Sequence, residues 1–155
     1  MFGKFNIIFN HILKKFSTSI GACKYGWHNI GDSCYLFETT LHTKSDATTY
    51  CKSFDGRLFE PKNQTNFDSV IEFAYQPYYA KNKMVDSQVV WLGINLQEND
   101  WKYESDDLPI IWNNWKAGNP GIEDCAAFDL PGGKWMDYGC ANLIVGQVIC
   151  ESNLQ

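Results

Sequence analysis

The chain lacks the positive charge that nucleic-acid binding demands. Its 155 residues carry 13 Lys and Arg against 18 Asp and Glu, a formal net charge of −5. A negative domain repels a phosphate backbone, so nucleic acid is not an expected partner. Histidine is sparse as well. His11, His28 and His42 stand far apart without metal-ligand spacing, and they read as surface positions. No nucleophile elbow, phosphate loop or zinc signature occurs. Adjacent acids such as Asp106-Asp107 and Glu123-Asp124 are poor grounds for acid–base catalysis, so an enzyme is not expected. Internal repeats and low-complexity tracts are missing too. The N-terminal segment has no apolar run longer than Ile7-Ile8-Phe9, which excludes a transmembrane span there.

What is present is cysteine, in an even number. Cys23, Cys34, Cys51, Cys125, Cys140 and Cys150 can all be paired, and pairing needs an oxidising compartment. A secreted or cell-surface domain is therefore expected. The length suits one domain with a sizeable core, and 45% hydrophobic with 20% charged residues are globular values. Six Trp, eight Tyr and ten Phe fill that core first, and any surplus on the surface is a binding platform.

Charge is unevenly spread. Residues 1–22 hold Lys4, Lys14 and Lys15 and no acid, so the acidic excess lies wholly in the remainder. That excess suits a cation such as calcium, or is simply a solvated face. Phe2, Phe5, Ile8, Phe9, Ile12, Leu13 and Phe16 recur at helical spacing. The segment reads as a weak signal peptide, a basic amphipathic arm or an imperfect translation start. The first is preferred because the cysteines need an export route. Residues 1–22 are thus set apart from a domain spanning 23–155.

Along that domain, Cys23–Trp27 and Gly31–Phe37 read as two short strands around a glycine-containing turn. Thr43 with Asp46 forms an aspartate variant of the capping box, and Ala47, Tyr50, Cys51 and Phe54 follow at helical spacing until Gly56. A second helix starts at Thr65 or Asn66, with Phe67, Val70, Ile71 and Ala74 as its buried stripe. Tyr75 to Ser87 reads as a surface loop. Val89–Ile94 is apolar throughout and too short for a helix, hence a buried strand. Trp101–Tyr103 alternates, a long loop holds Asn119-Pro120-Gly121, and strands are expected near Asp124–Phe128, Lys134–Asp137 and Gln147–Glu151. Helices early and strands later give an α+β class.

Read in order, these residues resemble the C-type lectin-like domain. The pattern is carried by Gly26-Trp27, Cys34-Tyr35, Ala47 with Tyr50-Cys51, Gly56-Arg57-Leu58 and Trp91-Leu92-Gly93-Ile94. It continues through Trp101, Tyr103, Trp115, Gly118, Pro120, Glu123-Asp124-Cys125, Trp135-Met136-Asp137, Cys140 and Ile149-Cys150-Glu151. The resemblance spans residues 23–151. It implies two helices on mixed antiparallel sheets, a long ligand-binding loop, and disulfides Cys23–Cys34, Cys51–Cys150 and Cys125–Cys140. By the burial habits of tryptophan, Trp91 and Trp135 are expected in packing rather than ligand contact.

Sugar-binding members of that family hold calcium with a Glu-Pro-Asn or Gln-Pro-Asp tripeptide, a following Glu and a Trp-Asn-Asp segment. Calcium takes six to eight oxygens, and two sugar hydroxyls complete the shell. Here the tripeptide reads Asn119-Pro120-Gly121, so one uncharged oxygen donor remains, and the resemblance implies a cis bond at Asn119–Pro120. Glu123 and Asp137 match family ligands, whereas Met136 puts a soft thioether where an amide is expected. The candidate carbohydrate and calcium residues are therefore Asn119, Glu123 and Asp137, with low calcium affinity expected. A second calcium position is marked by Asp124 with Glu98. Gln64 stands where some members carry another ligand glutamate.

The resemblance implies a secreted glycan-binding module, as in innate recognition of glycan surfaces, with glycans or glycoproteins as partners. The alternative is a module of the same fold that binds protein, lipid or mineral without calcium, favoured by Met136 and Gly121. Asn63-Gln64-Thr65 is the one N-glycosylation sequon in the chain, so an exported protein is expected to carry sugar on Asn63.

Overall fold

The computed structural model describes residues 21–74, 89–130 and 132–155. The helical spacing read in residues 1–20 and the loop expected from Tyr75 to Ser87 lie outside the described residues. Strand β1 (His28–Ile30) and strand β2 (Ser33–His42) form the opening hairpin, with Asn29 opposite Cys34. The strand expected over Cys23–Trp27 is instead a turn. There Gly26 takes φ 84° and the Trp27 N–H reaches Lys24 O at 3.0 Å. The left-handed glycine ends extended pairing, and the strand starts one residue beyond Trp27.

Helix α1 (Lys44–Ser53) begins as the sequence indicates: Thr43 Oγ1 accepts from the Asp46 N–H at 3.2 Å and its hydroxyl donates to Asp46 Oδ2 at 2.9 Å. Ala47 and Cys51 are buried. Phe54, expected in the buried stripe, is the C-cap and is 43% exposed. The left-handed residue after the helix is Asp55, φ 55°, rather than Gly56. Gly56 is needed for closeness instead, because a Cβ there would lie 2.7 Å from Trp27 Cη2 and 3.1 Å from Glu151 O. Strand β3 (Arg57–Leu58) follows. Helix α2 (Gln64–Ala74) starts before the expected Thr65 or Asn66, because Asn63 Oδ1 accepts from the Asn66 N–H at 2.8 Å and so caps it.

The rest is strand and loop: β4 (Val89–Gln97), β5 (Asp100–Tyr103), β6 (Cys125–Asp129), β7 (Trp135–Tyr138) and β8 (Gly146–Asn153). Glu98 and Asn99, with φ 53° and 70°, make the tight turn between β4 and β5. The sheet runs β1-β2-β8-β4-β6-β7, with β3 also on β8 and β5 also on β4. Every pairing is antiparallel except β4 with β8, where Val90 faces Gln147 and Trp91 faces Val148.

Strand alternation sorts the core into two clusters. Val90, Leu92 and Ile94 join Tyr35, Phe59, Phe67, Phe128, Trp135 and Ile149 in one. Trp91 joins Trp27, Ala47, Cys51, Leu58, Val148 and Cys150 in the other. Trp91 and Trp135 are both 0% exposed, each worth about 1.5–3 kcal/mol of burial or more. Three disulfides are formed, Cys23–Cys34, Cys51–Cys150 and Cys125–Cys140. The second spans 99 residues of sequence, for which chain entropy alone gives about 4.7 kcal/mol.

A charged network threads this core. Glu60 is fully buried and accepts from the Ser105 N–H at 2.9 Å and the Ser105 hydroxyl at 2.6 Å. Lys62 Nζ stands 3.3 Å from Glu60 and 3.0 Å over the Tyr103 ring. Gly93 makes room for this carboxylate, since a Cβ there would meet Glu60 Cγ at 2.8 Å. Glu151 pairs with Arg57 at 3.3 Å and accepts from the Glu60 N–H at 3.2 Å. Nearby, buried Lys44 donates to Leu92 O at 2.9 Å and ion-pairs with Glu104. The two described histidines are not plain surface residues either. His28 packs against Phe37 and Phe73, and His42 against Tyr50.

Burial pushes the Glu151 carboxyl above its ordinary 4.5, against the pull of Arg57 and the Glu60 N–H. A raised carboxyl binds its proton more tightly in the folded chain, so its contribution is full below that value and is lost as pH rises. Urea midpoints measured from pH 4 upward should therefore fall more steeply for the wild type than for Glu151→Gln; parallel curves would refute this. Lys44→Met, which strands Glu104, should cost roughly 3 kcal/mol, with most of it recovered in Lys44→Met/Glu104→Leu. Additive losses in the urea double-mutant cycle would show that the pair is not coupled.

Candidate functional site

The site grows from β7 and the loop that covers it. The Trp135 N–H donates to Asn114 O at 3.0 Å and the Lys116 N–H to Trp135 O at 2.8 Å, so the chain at 114–116 runs beside the start of β7. Buried Trp135 packs against Trp112, Trp115 and Phe67, which fixes this stretch of loop on the core. The chain then turns at Gly118, φ 85°, and the Asn119 N–H bonds Lys116 O at 2.9 Å. Asn119–Pro120 is cis, as the resemblance implies.

That path converges on Asp137. Its N–H donates to Asn119 Oδ1 at 3.4 Å, and its Oδ2 accepts from the Glu123 N–H at 2.9 Å. Asn119, Glu123 and Asp137 are thus brought together from two separate parts of the sequence. Gly121 lies against the same carboxylate, since a Cβ there would sit 3.3 Å from Asp137 Oδ2. Asn119 and Asp137 are half-buried, while Gly121 and Glu123 are exposed and Ile122 is 95% exposed.

Met136 goes elsewhere. Tyr138 donates its hydroxyl to the Met136 sulfur at 3.8 Å, and the Tyr138 ring packs edge-on against Trp91 at 6.0 Å. Burial first, then the charges of Asp129 and Asp137, hold the Tyr138 hydroxyl above its ordinary range, so it remains a donor.

Asp124 and Glu98 have partners of their own. Asp124 Oδ1 accepts from the Cys140 N–H at 2.7 Å, bracing the Cys125–Cys140 bridge. Glu98 sits in the β4–β5 turn and ion-pairs with Lys102 at 3.1 Å. Among the described residues, Asp124, Cys125 and Cys140 form one close group of metal-ligand types. Both sulfurs there are bonded to each other, so that group offers a single free ligand.

Two residues escaped the sequence reading. A Cβ on buried Gly139 would lie 2.7 Å from Glu123 Oε2 and 2.5 Å from Asn142 Nδ2. The Glu123 carboxylate and the Asn142 amide therefore both rest on Gly139. No local spacing points to Asn142, because its proximity is made by the turn in which its N–H bonds Gly139 O at 3.1 Å. This stretch carries two carboxylates, on Glu123 and Asp137, and two carboxamides, on Asn119 and Asn142, and each offers hard oxygen donors. A hard cation or a polyol is the matching ligand chemistry.

The comparisons agree with this architecture. The family model for the Lectin C-type domain matches residues 40–152. This chain belongs to the C-type lectin domain family. It is 29% identical over 139 residues to perlucin of Haliotis laevigata, covering 84% of this chain and 83% of that protein. It is 24% identical to asialoglycoprotein receptor 1 of Rattus norvegicus over 86% of this chain, and spans less than half, 45%, of that protein. Among solved structures, the mouse scavenger receptor C-type lectin carbohydrate-recognition domain superposes with a TM-score of 0.72 at 26% identity. That match covers 86% of this chain and all of that domain. Proteins of this fold are in general binding modules, and calcium is their typical metal.

Asp137 is the acceptor on which the loop turns. Asp137→Ala should speed hydrogen exchange at the Glu123 amide about fivefold, the loss of a bond worth ~1 kcal/mol. Asp137→Asn keeps an acceptor and should leave it slow. Equal rates in all three proteins would mean that Asp137 does not hold the loop.

Proposed function

We propose that this chain is an extracellular carbohydrate-recognition module, with its sugar site at Asn119, Glu123 and Asp137 and with calcium as its cation. The observation that carries the reading is the double hold of Asp137 on Asn119 and on Glu123. It joins the three retained family positions into one group, with Glu123 exposed and Asn119 and Asp137 half-buried. The donor set suits a hard cation: carboxylates from Glu123 and Asp137, with carboxamides from Asn119 and Asn142. The Met136 thioether, a poor partner for such an ion, is engaged with Tyr138 instead.

Calcium in such a site supplies positions that two neighbouring sugar hydroxyls can occupy. With two charged ligands, the affinity belongs toward the weak end of calcium sites, about 10⁻⁴–10⁻³ M. Family membership and the likeness to a carbohydrate-recognition domain support glycans as the ligand class. Three disulfides support an oxidising, extracellular setting, where innate recognition of glycan surfaces takes place. Among the described residues no helix is long and apolar enough to cross a membrane.

A second reading stands on Gly121 and Met136. Both remove a family oxygen donor, which favours a protein, lipid or mineral ligand bound without calcium. Retention on immobilised sugars with and without EDTA separates the two. Binding abolished by the chelator is the expected result, and binding indifferent to it sinks the calcium reading.

Gly121→Asn with Met136→Asn should raise calcium affinity at least tenfold, read by terbium luminescence. Gly121 is outside the left-handed region, so the backbone accepts a side chain there. Unchanged luminescence would show that the ion is not held by this loop.

A further inference from the structure

We propose that Asn63 is N-glycosylated, and that its glycan covers the polar groove beside it. The inference is independent of the calcium reading. Asn63-Gln64-Thr65 is the chain's single sequon, and Asn63 and Thr65 are exposed. The structure adds how the side chain is used. Asn63 caps α2 through Oδ1, and its backbone carbonyl accepts from the Phe67 N–H at 3.1 Å. None of the described hydrogen bonds engages Nδ2, the atom that must be modified.

The chemistry leaves the cap intact. Nδ2 attacks the anomeric carbon of a lipid-diphosphate-linked oligosaccharide. A C–N bond forms, the C–O bond to phosphate breaks, the lipid diphosphate leaves, and one amide proton passes to a base of the transferring enzyme. The product is still an amide whose carbonyl oxygen can accept from the Asn66 N–H. An Asn cap and a glycan are therefore compatible at this one residue.

Beside Asn63 lies a groove of about 530 Å³, lined in part by Asp32, Ser33, Lys62, Asn66, Ser69 and Glu151. Hydroxyl, amide and charged groups line it, which suits the first sugars of a glycan. Its position follows from the sheet order. Glu151 of the groove lies on β8, whereas Asp137 lies on β7, with β4 and β6 between them. Three strand steps of about 4.8 Å separate the two.

The test expresses the full chain in cultured animal cells behind a cleavable leader and maps the secreted protein by mass spectrometry with and without PNGase F. The peptide containing Asn63 should carry an oligosaccharide that PNGase F removes, converting Asn63 to Asp. Thr65→Ala and Asn63→Asp should both abolish the modification while each keeps an acceptor at the helix cap, so both should stay folded. Unmodified Asn63 in the secreted wild type overturns the proposal. The placement is read separately by amine labelling: the glycan should slow labelling of Lys62 severalfold and leave Lys116, in the loop beside Trp135, unchanged. Equal labelling of Lys62 before and after PNGase F overturns the covering of the groove.

Discussion

The pairing of β8 is the constraint on which the rest depends. This last strand takes β2 along one edge and shares the other between β4, at Gln147 and Val148, and β3, at Cys150 and Glu151. It thereby joins the first and last thirds of the chain in adjacent strands. Such long-range closure costs chain entropy, and the Cys51–Cys150 bridge lowers that cost by restricting the unfolded chain. Ala22 and Gln155 extend the closure, exchanging backbone bonds at 3.1 and 3.4 Å. With the middle of the sheet fixed, β6 and β7 can carry a long irregular loop at its far edge.

That loop is held by packing at its base and by polar contacts at its tip. Trp112, Trp115 and Trp135 bury its foot against Phe67. Further out, apolar contacts give way to Asp137, Gly139 and the Cys125–Cys140 bridge. The exposed Glu123 carboxylate on this braced loop keeps its hydration until a ligand displaces it. A binding site gains from such preorganisation because less ordering is left to be done on association. On the other flank, buried Glu60 ties the residues after β5 to β3 through Ser105, so polar groups also set loop positions inside the core.

Much of the fold was legible in sequence because its signals are local. The Thr43–Asp46 cap and the apolar run of β4 each follow from neighbours a few residues away, and the packing of the tryptophans at 91 and 135 follows from the side chain's size and apolarity. Misreadings arose where tertiary contact overrides local preference. Phe54 has the spacing of a buried residue but falls just after the helix turns away from the core. Gly56 looks like a helix stop, yet its need is the nearness of Trp27 and Glu151. Lys44 carries no signal in the sequence, and only the fold supplies Leu92 O and Glu104 to receive it. Of the candidate site, Asn119, Glu123 and Asp137 stand at family positions that motif reading reaches, while nothing in the neighbourhood of Asn142 marks it.

Residue order alone already carried the makeup of this protein's chemistry: six cysteines able to pair, an acidic domain, an α+β order of elements, and oxygen donors at three of the positions where this family has ligands. Those are properties of residue type and spacing, which a linear chain displays in full. Folding was needed to bring Asp137 onto both Asn119 and Glu123, to turn Met136 to Tyr138, and to seat Glu123 on Gly139 beside Asn142. Each of these depends on atoms from separate segments meeting within a few ångströms, and such meetings exist only after the sheet has closed.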